Sequence, residues 1–388
     1  MKNSIIASIA MATLFACNNP KSSKTETENN ASMDTAKTTT VLPTTFYKRL
    51  EGTIAGKAII MNLQRTNEGF SGGYYYNGPW LDLASYAKAT KDSVYLNERN
   101  LYSSYFGLDS KYPKLTMGWN GNGFNGTWIS GDSTKRYPIK LQEKYPEGSY
   151  KFSTGMYNDS IAAIPKNPKS PMAQIDFTYL KPEGNTDNIK WLDAKLKKLS
   201  GIKETSTGRQ AGFENLSADY FKNYTSEVKT LGKKTDITTL NYLNYYRNNY
   251  QSIAFNNNDY IIVESLNGEY AGGAHGNYAT LMACLDVKNK KELKLSDVVK
   301  IDSNTFQKIV EKNFRKLYNI KPNGDLKSVL FDNFIKPNNN FYFNQFGLAF
   351  MYNPYEVASY AQGQVAVFIP FAELTQYLNP EFKTRMGL

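Results

Sequence analysis

Acid–base, nucleophilic and metal chemistry draw on a few side-chain types, and this chain is short of them. Its 388 residues include one histidine, His275, and two cysteines, Cys17 and Cys284. A histidine-bearing zinc site takes several His or Cys ligands, so neither a metal nor another cofactor is expected. Catalysis by His275 would need a nucleophile and an orienting carboxylate. Glu264, Ser265 and Glu269 are near it in sequence, but no nucleophile motif frames them, and no catalytic residue is assigned. Glycoside cleavage needs only two carboxylates. Spacing alone does not reveal such a pair, so that chemistry stays open. Cys284 lies in Leu281-Met282-Ala283-Cys284-Leu285, an apolar setting that suits an inert buried thiol.

His275 sits in Glu269-Tyr270-Ala271-Gly272-Gly273-Ala274-His275-Gly276-Asn277. Gly272 and Gly273 permit positive φ and close backbone approach, and with Gly276 they mark a tight connection between strands. A second segment, Tyr352-Asn353-Pro354-Tyr355-Glu356-Val357-Ala358-Ser359-Tyr360, carries three tyrosines and a proline and runs to Gly363, a further turn residue. Rigid aromatics on a loop suit a recognition surface. Inward packing of Tyr355 and Tyr360 as hairpin core is the alternative. The candidate ligand-binding residues are therefore His275, Tyr270, Tyr352, Tyr355 and Tyr360. Trp119, beside the turn Asn120-Gly121-Asn122-Gly123, joins them as a candidate for sugar stacking.

Two kinds of element must position these residues. From 46 to 145 the pattern has period two, with short strands at Lys57–Leu63, Gly73–Tyr76, Ser93–Leu96, Lys114–Met117, Gly126–Ile129 and Tyr137–Leu141, separated by turn signals such as Asn77-Gly78-Pro79. Many short strands with regular turns indicate an all-β meander sheet or small barrel. From 150 to 388 the pattern is α+β, with helices on an antiparallel sheet. Helices are expected from an N-cap at Asp187 to Gly201, from Ser217 to Leu231, from Asn304 to Tyr318 and from Phe371 to Leu378. Strands are expected at 173–180, 242–248, 251–256, 259–266, 278–286, 341–352 and 364–370.

The N-terminus reads as an address. Lys2 precedes an apolar run from Ile5 to Ala16, too short to span a bilayer. Leu14-Phe15-Ala16-Cys17 resembles a bacterial lipobox, which implies lipidation of Cys17 after removal of residues 1–16. Residues 17–45 are polar, with almost nothing apolar before Val41, and read as a flexible tether. The expected location is the bacterial cell envelope, lipid-anchored, periplasmic or cell-surface. The formal charge is +11. The lysines are dispersed, and export disfavours a nucleic-acid partner.

Several segments together resemble one family. They are the Gly272-Gly273-Ala274-His275-Gly276 turn, Lys294-Leu295-Ser296-Asp297-Val298, Phe346-Gly347-Leu348-Ala349-Phe350, Tyr355–Gly363, and Val367-Phe368-Ile369-Pro370-Phe371. In order and spacing, over roughly residues 170–380, they look like the extracytoplasmic domain of RsiV-type anti-sigma factors, which sense lysozyme. The same module accompanies PdaC-type peptidoglycan deacetylases. Ser359 stands where the family usually has proline. The resemblance implies a non-catalytic binding module for a lysozyme-like protein or a peptidoglycan-related ligand. A glycan-acting hydrolase and an envelope scaffold component are the alternatives. Common lysozymes are basic, as this chain is, so such binding requires a locally acidic face.

Overall fold

A computed structural model describes residues 41–66, 69–90, 92–99, 111–203, 205–231 and 236–388. The expected signal peptide, Cys17 and most of the tether lie outside the described residues. Leu42, within the stretch expected to be tether, is buried in the core of the first domain beside Phe46. No helix among the described residues is long and apolar enough to cross a membrane.

The first domain is a closed barrel of eight antiparallel strands. They are β1 (Phe46–Ile54), β2 (Lys57–Arg65), β3 (Phe70–Tyr75), β4 (Leu81–Ser85), β5 (Ser93–Arg99), β6 (Lys114–Trp119), β7 (Gly123–Ile129) and β8 (Arg136–Glu143). Each pairs with its sequence neighbour, and β8 returns to β1 with Leu50 opposite Glu143. Alternation explains the closure. Leu50, Met61, Leu63, Val94, Leu96, Leu115, Met117 and Phe124 all point inward and are fully buried, as the period of two requires.

A six-stranded sheet follows, in the order β14-β13-β12-β11-β10-β9. Its strands are β9 (Phe152–Ala162), β10 (Met172–Pro182), β11 (Tyr245–Asn257), β12 (Tyr260–Tyr270), β13 (Asn277–Asp286) and β14 (Lys291–Glu292). It is antiparallel except between β10 and β11. That parallel pair needs a crossover, which α1 (Asp187–Leu199) and α2 (Arg209–Leu231) supply. Leu192 and Leu196 of α1 pack on Ile253, Ile261 and Val263. The N-cap of α1 is Thr186, not Asp187, and Asp187 occupies the first turn. Helix α2 starts eight residues before the expected Ser217. Gly212 is admitted there because a Cβ at that position would meet the Ile202 side chain at 2.4 Å. β11 is continuous where a break was expected, because the Asn249 side chain turns inward and donates to Ser265 Oγ at 2.8 Å.

The chain ends in α3 (Leu295–Val298), α4 (Ser303–Leu317), a three-stranded sheet and α5 (Pro380–Met386). The segment expected as one strand divides into β15 (Phe341–Phe343) and β16 (Gly347–Tyr352), followed by β17 (Val365–Pro370). Asn344 makes the turn by accepting from the Phe346 amide at 2.8 Å. The expected helix at Phe371 is only a 3-10 turn over Phe371–Glu373. The terminal helix begins later, capped by Asn379, with Pro380 in its first turn. Asn340 and Asn353 fasten this sheet to β13. Asn340 accepts from the Met282 amide and donates to Thr280 O, both at 2.8 Å. Asn353 accepts from the Thr280 amide at 2.7 Å.

Barrel and mixed sheet share an interface. Tyr75 and Trp80 leave the barrel wall to join the core around Phe255 and Phe343. Beside them Arg49, fully buried, donates from Nε to Asn256 O at 2.7 Å and from one terminal nitrogen to Lys144 O and Glu51. Tyr47 donates to Asn62 and accepts from Asn256, at 2.7 and 2.9 Å.

Candidate functional site

A cleft of about 840 Å³ runs between the barrel wall and the open face of the mixed sheet. Asp82 and Arg99 line it from the barrel. Asp176, Tyr250, Ser252 and Glu264 line it from the sheet, and Tyr246, Tyr278 and Tyr360 close one end. Glu264 shares a sheet face with Ile262 and Leu266, opposite to the face of Ile261 and Val263 that receives α1. Ser252 is its register partner on β11 and donates to Glu264 Oε2 at 2.8 Å. Burial pushes the Glu264 carboxyl well above the usual carboxylate range, and the negative charge of Asp82 adds to the effect. Asp82 is also raised by burial, against the Arg99 guanidinium 2.5 Å away. Tyr250 donates to Asp176 at 2.9 Å.

At the tyrosine end the two sequence segments meet. His275 stacks on Tyr360, with ring centroids 4.1 Å apart, and Tyr355 lies 5.6 Å from Tyr360. His275 Nδ1 is 2.9 Å from Gly276 O. A carbonyl only accepts, so Nδ1 carries the proton, and Nε2 faces the Tyr355 hydroxyl at 3.4 Å. Tyr360 donates to Gly276 O at 2.8 Å, which pins the loop to the turn. Gly272 and Gly273 take φ of 89° and 92°, and Gly363 takes 68°. Gly276 serves close approach instead: a Cβ there would meet Tyr246 Oη at 2.2 Å. Tyr355 is 55% exposed and itself has a φ of 69°, a strained position for a bulky side chain.

The other expected site residues are placed differently. Tyr270 is half-buried, stacks on Tyr246 and donates to Gly273 O at 2.9 Å. Tyr352 is buried, its hydroxyl donating to Lys336 O at 2.6 Å. It belongs to β16, where inward packing prevails over loop exposure. Trp119 is also buried, not exposed, because it ends β6 facing into the barrel under the Lys48 ammonium. Ser265 points to the helix side of the sheet, and Glu269 is exposed. Cys284 is buried, its thiol donating to Phe341 O at 3.2 Å, and burial raises its pKa far above the usual thiol value. Among the described residues no cluster of three His, Cys, Asp or Glu could hold a metal ion.

Sequence reading did not pair Glu264 with Asp82, which lie far apart along the chain. One signal was present: Glu264 interrupts the apolar run Tyr260-Ile261-Ile262-Val263, and a carboxylate in such a run is rarely there for packing.

The loop carrying Tyr355 and Tyr360 is also where the chain matches other proteins. Residues 296–372 match DUF3298, a protein family of unknown function. The DUF3298 segment takes in α4 and β15 to β17 and supplies Tyr355 and Tyr360. His275, Glu264 and Asp82 lie outside it. The crystal structure of a DUF3298 family member from Bacteroides fragilis NCTC 9343 aligns with a TM-score of 0.55 and 20% identity, over 63% of this chain and 100% of that one. A DUF3298 family protein from Pseudomonas aeruginosa PAO1 covers 59% and 95%, at 14% identity and a TM-score of 0.41. The Bacteroides likeness concerns the fold alone. No curated protein matches the chain.

Proposed function

We propose that this chain is a lipid-anchored envelope protein that binds, without catalysis, a lysozyme-like basic protein or a peptidoglycan-related ligand. The observation that carries the reading is the His275–Tyr355–Tyr360 stack at the lip of the cleft. Exposed, mutually braced aromatics provide contact area at little entropic cost. The RsiV-like motifs contribute both halves of this stack, which supports the resemblance as a guide to ligand. Asp176 and, once ionised, Glu264 supply the local acidity that a basic partner requires of a basic chain, whereas Asp82 is paired with Arg99. The anchor follows from Cys17 and the apolar run before it. Labelling of cells with an alkyne fatty acid should mark the wild-type protein, and Cys17→Ala should lose the label; an unlabelled wild type removes the anchor.

Calorimetry of the whole chain against a lysozyme and muropeptide panel tests the binding. Binding to a panel member is expected, with Tyr360→Ala weakening it about tenfold and Tyr355→Ala by a similar factor. Absence of binding to every member rejects the reading.

A second reading rests on one observation, the raised carboxyl of Glu264 beside Asp82. Glycosidic cleavage needs two carboxyls in different protonation states, and of these two only Asp82 is ion-paired among the described residues, with Arg99. Release of reducing ends from purified wall, abolished in Glu264→Gln, would favour the hydrolase. An inert digest removes it.

A further inference from the structure

The barrel has a cavity of its own. It occupies about 300 Å³ at the end where β1 turns into β2, and none of its lining residues lines the cleft. Tyr74, Tyr76, Trp128 and Tyr137 wall it, Glu98 forms its floor and Lys57 stands at its edge. Alternation places these side chains. Val94 and Leu96 are core residues of β5, so Glu98 occupies the next inward position on that strand, where an aliphatic side chain would extend the core. Trp128 is likewise in phase with Phe124 on β7.

Glu98 is held but not neutralised. The Tyr74 hydroxyl and Trp128 Nε1 both donate to its Oε2, the latter at 2.7 Å. Its Oε1 accepts no hydrogen bond from the described residues, and no described basic side chain forms an ion pair with it. Burial raises its pKa, as an uncompensated charge in an apolar pocket demands. The aromatic faces around it are electron-rich. The Lys57 ammonium already lies 5.1 Å from the Tyr76 ring centroid, so this wall accepts a cation at its rim.

From this arrangement we propose that the barrel mouth binds a small organic cation, an alkyl- or methylammonium group, between its aromatic walls and Glu98. A neutral polar ligand would desolvate the carboxylate further without balancing its charge. An ammonium balances it and gains the ring faces as well. The cavity is large enough for such a head group. The site is independent of the cleft.

The test uses the whole protein, with choline as probe and 3,3-dimethylbutan-1-ol as its neutral isostere, followed by tryptophan fluorescence and calorimetry. Choline should bind with a dissociation constant of about 1 mM or below, and the isostere at least about tenfold more weakly. Glu98→Gln keeps an acceptor for Tyr74 and Trp128 but removes the charge, and should weaken choline binding about tenfold. Phosphatidylcholine vesicles tested in parallel separate a lipid head group, which both arms would bind, from a free solute, which only the choline arm would. Equal binding of choline and isostere overturns the proposal, as does binding by neither arm. The isostere comparison needs no variant, so it decides even where Glu98→Gln fails to fold.

Discussion

Arg49→Ala should destabilise the protein by about 3–5 kcal/mol, the usual cost of removing one partner from a buried charged network. Arg49 is fully buried, and its donors satisfy Asn256 O from the sheet and Lys144 O and Glu51 from the barrel. Truncation leaves the buried Asn256 carbonyl and the part-buried Lys144 carbonyl without these donors. Glu51 keeps only Lys144, at 2.8 Å. Burial opposes ionisation of Glu51, yet Lys144 and Arg49 together hold its pKa below the usual range, so the Arg49 share of that support goes with the guanidinium. Urea unfolding monitored by tryptophan fluorescence measures the loss. A change below about 1 kcal/mol would show that the guanidinium is not what joins barrel to sheet.

Glu264→Gln should stabilise the protein at pH 8 and leave it nearly unchanged at pH 4. The folded pKa of Glu264 lies above its unfolded value, at about 7, so the folded state keeps its proton longer. Stability therefore falls as pH rises from the ordinary carboxylate value to about 7, and is constant above. At about 1.4 kcal/mol per unit the shift sets an upper bound near 3.5 kcal/mol. Glu264 is only partly shielded from the cleft, so about 1–2 kcal/mol is expected. Asp82 and Arg99 face it from the barrel and Ser252 from β11. Denaturation across this pH range in wild type and variant should show the slope in the first and a flatter line in the second. Parallel curves would mean that the carboxyl titrates normally. The same protonation separates the ligand classes: a basic partner should bind more tightly from pH 5.5 to 8, while a neutral glycan should change little.

The barrel and the α+β half were legible because their signals are local. Alternation in Lys57–Leu63 or Lys114–Met117 reports directly which side chains face inward. The amphipathic run from Phe306 to Leu317 does the same for α4. β1, β4 and β9 were not recognised, because polar residues and glycines interrupt their alternation, as in Phe152-Ser153-Thr154-Gly155-Met156. Family-like motifs put the His275 turn and the Tyr355–Gly363 loop in one domain without pairing their residues; the stacking of His275 on Tyr360 is seen only in the fold. Tyr352 and Trp119 were misplaced for one reason. A neighbouring turn signal was taken for exposure, whereas strand phase decides which way a ring points. The carboxylate cleft and the barrel mouth were invisible for a different reason. Each gathers residues from several strands, and their proximity exists only after the sheets are in register.

The asparagines that hold the last sheet to β13 have a consequence for self-association. Their amide groups present a carbonyl and an N–H in the place of a neighbouring strand, so the Thr280 N–H and C=O and the Met282 N–H are already taken. The barrel, closed on itself, has no edge to offer. Among the long strands of the mixed sheet this leaves β9, which is exposed from Asn158 to Ser160. The exposed edge of this sheet is thereby limited to one short stretch, where Asp159 adds a charge that discourages indiscriminate pairing.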